Sequence, residues 1–169
     1  REVIKFAPLL KVLEHYGPKR ASTKEELKNS LKGIDLFITS YGLLYRDQEF
    51  LQKINWQGII IDEAQAIKNS KGKQSQAIRE VSHIGNNGGS FFRIALTGTP
   101  IENRISELWP LMNFLNPVVL GEENFFQQRY RLPIERYGDI SSLKELKSQV
   151  KPFILRRLKS DKAIISDLP

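Results

Sequence analysis

A chain of 169 residues is long enough to bury one ordinary core, and its 40% hydrophobic and 27% charged residues exclude a disordered or low-complexity polypeptide. With no cysteine, disulfides and thiolate metal sites are excluded, and no apolar run reaches the length of about 18 residues that a spanning helix needs. The net charge of +7 points to a polyanionic partner, and it is concentrated near the end of the chain. There Lys147, Lys151, Arg156, Arg157, Lys159 and Lys162 face only Asp161, which suits either a nucleic acid or a merely solvated basic face.

Arg1 to Phe6 has helical character, and Leu9 to Tyr16 reads as a strand broken by Gly17-Pro18. Thr23 followed three residues later by Glu26 has the spacing of a capping box, which starts a short helix ending near Gly33. Ile34 to Thr39 is expected as a buried strand, and a helix over about Leu43 to Ile54 follows it. Gly58 to Ile61 and Phe91 to Leu96 are two more apolar runs expected as buried strands, with an amphipathic helix over Lys73 to Val81 between them. Leu108, Leu111, Met112 and Leu115 recur at helical spacing, so the helix from Ser106 to Leu115 is expected to pack into the core with Trp109 at its border. Two further helices, Glu122 to Arg131 and Ser141 to Val150, complete the reading, with Ser141 or Ser142 available as the cap of the second. Strands alternating with helices predict an α/β fold: a mostly parallel sheet with helices on both faces.

Chemistry is expected where apolar runs stop abruptly. GIIIDEAQ ends in Asp62, Glu63 and Gln65, and IALTGTP ends in Thr97, Gly98 and Thr99. An open α/β sheet presents its ligands at such carboxyl ends. Adjacent acids suit nucleotide hydrolysis, one carboxylate holding Mg2+ through water and the next orienting or deprotonating an attacking water. Acids that end a strand also serve simply to cap the next helix, and Thr-Gly-Thr-Pro is common turn chemistry. Their joint order is the stronger signal, because parallel neighbours would bring Thr97 and Thr99 within reach of Asp62 and Glu63, where a hydroxyl could sense a γ-phosphate. No G-x-x-x-x-G-K-[ST] loop occurs: Gly72-Lys73 has Ile67 where the first glycine should stand, and the glycine-rich Gly85 to Ser90 has no lysine. His15 and His83 lack ligand spacing and are expected to be surface or packing residues.

IIIDEAQAIKN, ALTGTPIEN, SELWPLMNFLNP, PFILRRLKSDKAIISDLP and DLFITSYGLL together resemble the Swi/Snf-type (sucrose-non-fermenting) helicase-like ATPases over nearly the whole chain. The resemblance implies a motor of two RecA-like lobes that uses ATP to step along double-stranded DNA. Asp62 would then hold Mg2+ through water, Glu63 would activate the hydrolytic water, and Gln65, where many relatives have histidine, would face the nucleotide and the second lobe. Thr97, Gly98 and Thr99 would couple the nucleotide state to DNA. Thr39, Ser40 and Tyr41 match a segment that touches the DNA backbone, and Arg156 and Arg157 fall to DNA or interlobe contacts or to a structural role.

By the same resemblance, residues 1–120 are part of a first lobe without its phosphate loop. Residues 121–152 are a helical protrusion, where Phe125, Phe126 and Tyr130 are candidates for an exposed partner surface, and 153–169 are an exit segment. The phosphate-loop segment and the second lobe would lie outside the chain, which would not hydrolyse ATP alone. The expected partners are double-stranded DNA and these missing parts, with no membrane, and the expected setting is intracellular: cytoplasm or nucleoid in a prokaryote, nucleus in a eukaryote. A non-catalytic nucleic-acid or protein-binding module on the same scaffold is the alternative, and an RNA-unwinding helicase a third reading.

Overall fold

The computed structural model describes residues 2–18, 20–83, 91–98 and 104–156. The chain divides into two compact units, Arg1–Asn116 and Pro117–Pro169.

In the first unit, α1 (Glu2–Phe6) leads to β1 (Val12–Glu14), α2 (Lys24–Ser30) and β2 (Leu36–Ile38). Then come α3 (Tyr41–Arg46), α4 (Gln48–Leu51), β3 (Gly58–Ile61), α5 (Lys73–His83), β4 (Phe92–Ala95) and α6 (Leu108–Leu115). β1 pairs with β2 and β3 with β4, both parallel, with a helix in each connection, so the chain has the α/β architecture that alternating elements predict. Thr23 caps α2 by accepting the Glu26 amide at 3.2 Å. The reciprocal arm reaches one residue further back than a capping box requires: the Glu26 carboxylate accepts the Ser22 amide at 2.8 Å.

Leu44, Leu51, Ile61, Ile78, Val81 and Phe114 meet in the core of this unit, each side chain contributing about 1.5–3 kcal/mol by burial. The expectation of fully buried strands is corrected, since Ile60 is 54% and Ile94 43% exposed. Successive strand residues point to opposite faces, and α5 and α6 pack against only the face that carries Ile61 and Ala95. On α6, Leu108, Trp109, Leu111 and Met112 are buried, in keeping with its expected core face.

The single helix expected over Leu43 to Ile54 is two helices that change direction at Asp47. The cause is a long-range pairing. The Asp47 carboxylate is drawn inward to accept from His15 Nε2 at 2.8 Å and Arg20 Nε at 2.9 Å. His15 is a packing residue, 2% exposed, with its ring 5.2 Å from that of Phe37. Burial pushes the Asp47 carboxyl up, but the hydrogen bonds from Arg20 and His15 and the charge of Arg20 outweigh it and hold the group below its ordinary range.

In the second unit, α7 (Glu123–Phe126) runs through a π-helical turn, Gln127–Arg131, into α8 (Leu132–Tyr137), and α9 (Ile140–Val150) follows. The expected helix end at Arg131 is therefore passed. A widened turn relieves the clash and missing donor that Pro133 would bring to a regular helix, and α8 stops instead at Gly138, whose φ of 64° is left-handed. The cap of α9 is Asp139 rather than a serine; its carboxylate accepts the amides of Ser141 at 3.1 Å and Ser142 at 3.2 Å. Phe126 and Tyr130 are buried in this unit, so of the three aromatics proposed as exposed only Phe125, at 55%, is so. The Tyr130 hydroxyl donates to Glu145 at 2.8 Å, and Arg129 pairs with the same carboxylate. No described helix is long and apolar enough to cross a membrane.

Candidate nucleotide site

The register of β3 and β4 sets Ile61 opposite Ala95, so both strands end at the same edge. The Leu96 amide donates to the Ile61 carbonyl at 2.8 Å, and the Ala64 amide donates back to the Leu96 carbonyl at 2.9 Å. These bonds stitch the turn after β3 to the segment after β4. Asp62, Glu63, Gln65 and Thr97 are thereby gathered at one edge.

Glu63 is the only described non-glycine residue with positive φ, at 49° with ψ 52°. A left-handed residue with a side chain costs roughly 1–2 kcal/mol, and its neighbours hold it there. The Asp62 carboxylate accepts the Glu63 amide through Oδ1 at 2.9 Å. The Tyr41 hydroxyl donates to the Asp62 main-chain carbonyl at 2.8 Å. Burial, then the charges of Asp62 and Glu63, push the Tyr41 phenol up to about 12, so it remains a donor across the working pH range.

Gln65 joins the two motifs. Its amide nitrogen donates to Glu63 Oε2 while its carbonyl oxygen accepts from Thr97 Oγ1 at 3.0 Å. An ionised carboxylate only accepts, which fixes the amide with nitrogen toward Glu63 and oxygen toward Thr97. One oxygen of the exposed Glu63 carboxylate is thus held by Gln65. Thr97 meets the acid pair through Gln65, and Gly98 follows it with open space where a Cβ would stand. Thr99 lies outside the described residues.

The three residues after β2 differ in what their hydroxyls do. Thr39 Oγ1 donates to the His15 carbonyl at 3.4 Å, and Tyr41 donates to Asp62. Ser40 Oγ accepts the Leu43 amide at 3.3 Å as the cap of α3, a bond that does not use its own proton. Ser40 is also the exposed one of the three. In the other unit, Lys147, Lys151 and Arg156 are exposed, and Arg157, Lys159 and Lys162 lie outside the described residues. Sequence reasoning missed the bond from Tyr41 to Asp62 and the double role of Gln65. The side-chain types hinted at neither, because both depend on residues 21 and 32 positions apart.

A divalent ion would find a suitable donor here. Asp62 spends one lone pair on the Glu63 amide, and the rest of its exposed carboxylate remains available; a single carboxylate with waters is the donor set Mg2+ favours.

The model of the SNF2-related domain matches residues 1–169. The chain is 41% identical over its full length to YwqA of Bacillus subtilis (strain 168), an ATP-dependent helicase/translocase by its name, of which it spans 18%. It is 36% identical to the TATA-binding protein-associated factor mot1 of Schizosaccharomyces pombe (strain 972 / ATCC 24843), spanning 9% of that protein and all of this chain. The chain therefore corresponds to less than a fifth of the length of these curated relatives. Among solved structures, the SWI2/SNF2 ATPase core of Sulfolobus solfataricus in complex with dsDNA superposes with a TM-score of 0.80 at 42% identity, over 99% of this chain and 32% of that one. From its sequence, its fold and the arrangement at the ends of β3 and β4, this chain belongs to the SNF2-related domain family.

Proposed function

We propose that the chain is the acid-motif part of the first RecA-like lobe of an ATP-driven motor that translocates on double-stranded DNA. The observation that carries this reading is the continuous set of hydrogen bonds Thr97–Gln65–Glu63 beside Asp62, which gives two adjacent acids different surroundings at one strand edge. Glu63 accepts a proton from the attacking water on the oxygen that Gln65 leaves open. Asp62 would hold Mg2+ through water, and the ion would supply neutralisation of phosphate charge. Thr97, with Gly98 and Thr99, passes the nucleotide state toward DNA. The resemblance of the whole chain to a core solved with dsDNA, together with exposed Ser40 and Arg156, supports contact with the DNA backbone rather than with bases. Arg157 is included in that proposal on sequence alone.

On this reading residues 1–120 are lobe, 121–152 a helical protrusion and 153–169 the exit toward a second lobe. The phosphate loop is supplied from outside the chain, and the whole protein works inside the cell, where ATP and chromosomal DNA meet. The test is ATP turnover by the full-length protein with and without duplex DNA. Glu63→Gln should lower turnover by about 10²–10⁴-fold, the contribution of a positioned base, and residues 1–169 alone should give none. Turnover by the Glu63→Gln protein within a few-fold of wild type would sink the assignment of Glu63. Duplex binding without any turnover by the wild-type protein would favour a binding module on this scaffold.

A further inference from the structure

The peptide unit between Asp62 and Glu63 is held at both of its polar atoms. Its carbonyl accepts the Tyr41 hydroxyl at 2.8 Å, and its amide donates to the Asp62 carboxylate at 2.9 Å. The orientation of that peptide sets the left-handed backbone of Glu63 and hence where its carboxylate points. Of the two restraints, the Asp62 carboxylate is the group assigned above to Mg2+, which leaves Tyr41 as the one restraint on this peptide with no other task there. Tyr41 is itself the first residue of α3, immediately after Thr39 and the exposed Ser40. The loop that would meet the DNA backbone and the turn that carries the hydrolytic acid are therefore one hydrogen bond apart.

We propose that Tyr41 is a positioning residue that couples engagement of the Thr39–Ser40 loop to the alignment of Glu63, by holding the Asp62–Glu63 peptide through its hydroxyl. This rests on the motor reading above and reassigns the Tyr41 hydroxyl from a DNA contact to an internal strut. A displacement of Ser40 on binding a phosphate backbone is carried through the first turn of α3 to the phenol, and the phenol moves or steadies the peptide. Phenylalanine keeps the half-buried ring and deletes only the donor.

The experiment uses the full-length protein, wild type and Tyr41→Phe. It measures kcat and KM for ATP with and without saturating duplex DNA, and duplex Kd by fluorescence anisotropy. Amide hydrogen exchange over residues 58–66 is followed with and without duplex. The expected result is a loss of about fivefold or more in duplex stimulation of kcat, with KM and Kd shifted by less than about twofold. Duplex should slow exchange at 58–66 in the wild type and leave it unchanged in the variant. Unaltered stimulation overturns the proposal. So does stimulation restored by more duplex, which would make Tyr41 a DNA contact, or loss of the cooperative thermal transition, which would make its role fold-wide. A wild-type protein whose turnover ignores duplex defeats the motor reading first, and that failure shows before any variant is compared.

Discussion

Asp47→Ala should destabilise the first unit by about 2–3 kcal/mol, well above the effect of an ordinary surface change. Asp47 is 7% exposed and accepts from two donors, His15 Nε2 at 2.8 Å and Arg20 Nε at 2.9 Å. Its loss leaves the His15 nitrogen buried without a partner, which costs about 1–3 kcal/mol, and removes a charge-assisted bond worth about 1.5–3 kcal/mol before relaxation. The two overlap, since both count the same contact, hence the lower figure. Arg20 keeps the Gly17 carbonyl at 3.2 Å and reaches water, so it adds little. Asp47→Asn, which retains one acceptor oxygen, should fall between. The pH dependence follows from the depressed carboxyl. Its stabilisation is fully present above the ordinary aspartate value of 3.8 and is lost as pH falls through the lower folded value. Urea unfolding at neutral pH and again between pH 5 and pH 2 measures both. A loss below about 1 kcal/mol for Asp47→Ala, or a gap between wild type and Asp47→Asn that does not narrow with acid, would refute the buried-triad reasoning.

Two further changes probe strain and the second unit. Glu63→Gly should be more stable than Glu63→Ala by up to about 1 kcal/mol, because both lose the bond from Gln65 and only glycine removes the left-handed penalty; equal urea midpoints for the two would mean the backbone there is unstrained. Tyr130→Phe should cost about 1 kcal/mol, since the buried hydroxyl that donates to Glu145 at 2.8 Å is lost while Arg129 still pairs with the carboxylate; an unchanged urea midpoint would show that the bond contributes nothing net.

The α/β order was legible because strand and helix signals are local. Apolar runs that stop at acids or threonines marked β3 and β4, Thr23 with Glu26 marked the start of α2, and a 3.6-residue period marked α6. What escaped the sequence was decided at a distance. The periodicity from Leu43 to Ile54 reads as one helix, yet His15, 32 residues earlier, claims the Asp47 carboxylate and the chain bends there. Ser141 and Ser142 have good capping chemistry, but Asp139 stands earlier and its carboxylate takes both of their amides. The helix expected to end at Arg131 runs on instead to Tyr137, through a π-helical turn that accommodates Pro133.

At the site, residue types were readable and hydrogen-bond direction was not. Threonine, serine and tyrosine hydroxyls each donate once, and a sequence does not show where that proton goes. Here Thr39 gives its proton to His15 and Tyr41 gives its own to Asp62, while the bond that Ser40 makes to the Leu43 amide does not use its proton. The same accounting explains position 65. Glu63 can only accept and Thr97 donates, so the residue between them must donate on one side and accept on the other. Glutamine does this through its amide, and a neutral histidine would do it through its two ring nitrogens. A leucine there would satisfy neither neighbour, and a glutamate would oppose Glu63 with a second acceptor. The requirement at this position is one donor and one acceptor held about a side chain apart, and it links the acid turn to Thr97 whichever of the two residues supplies it.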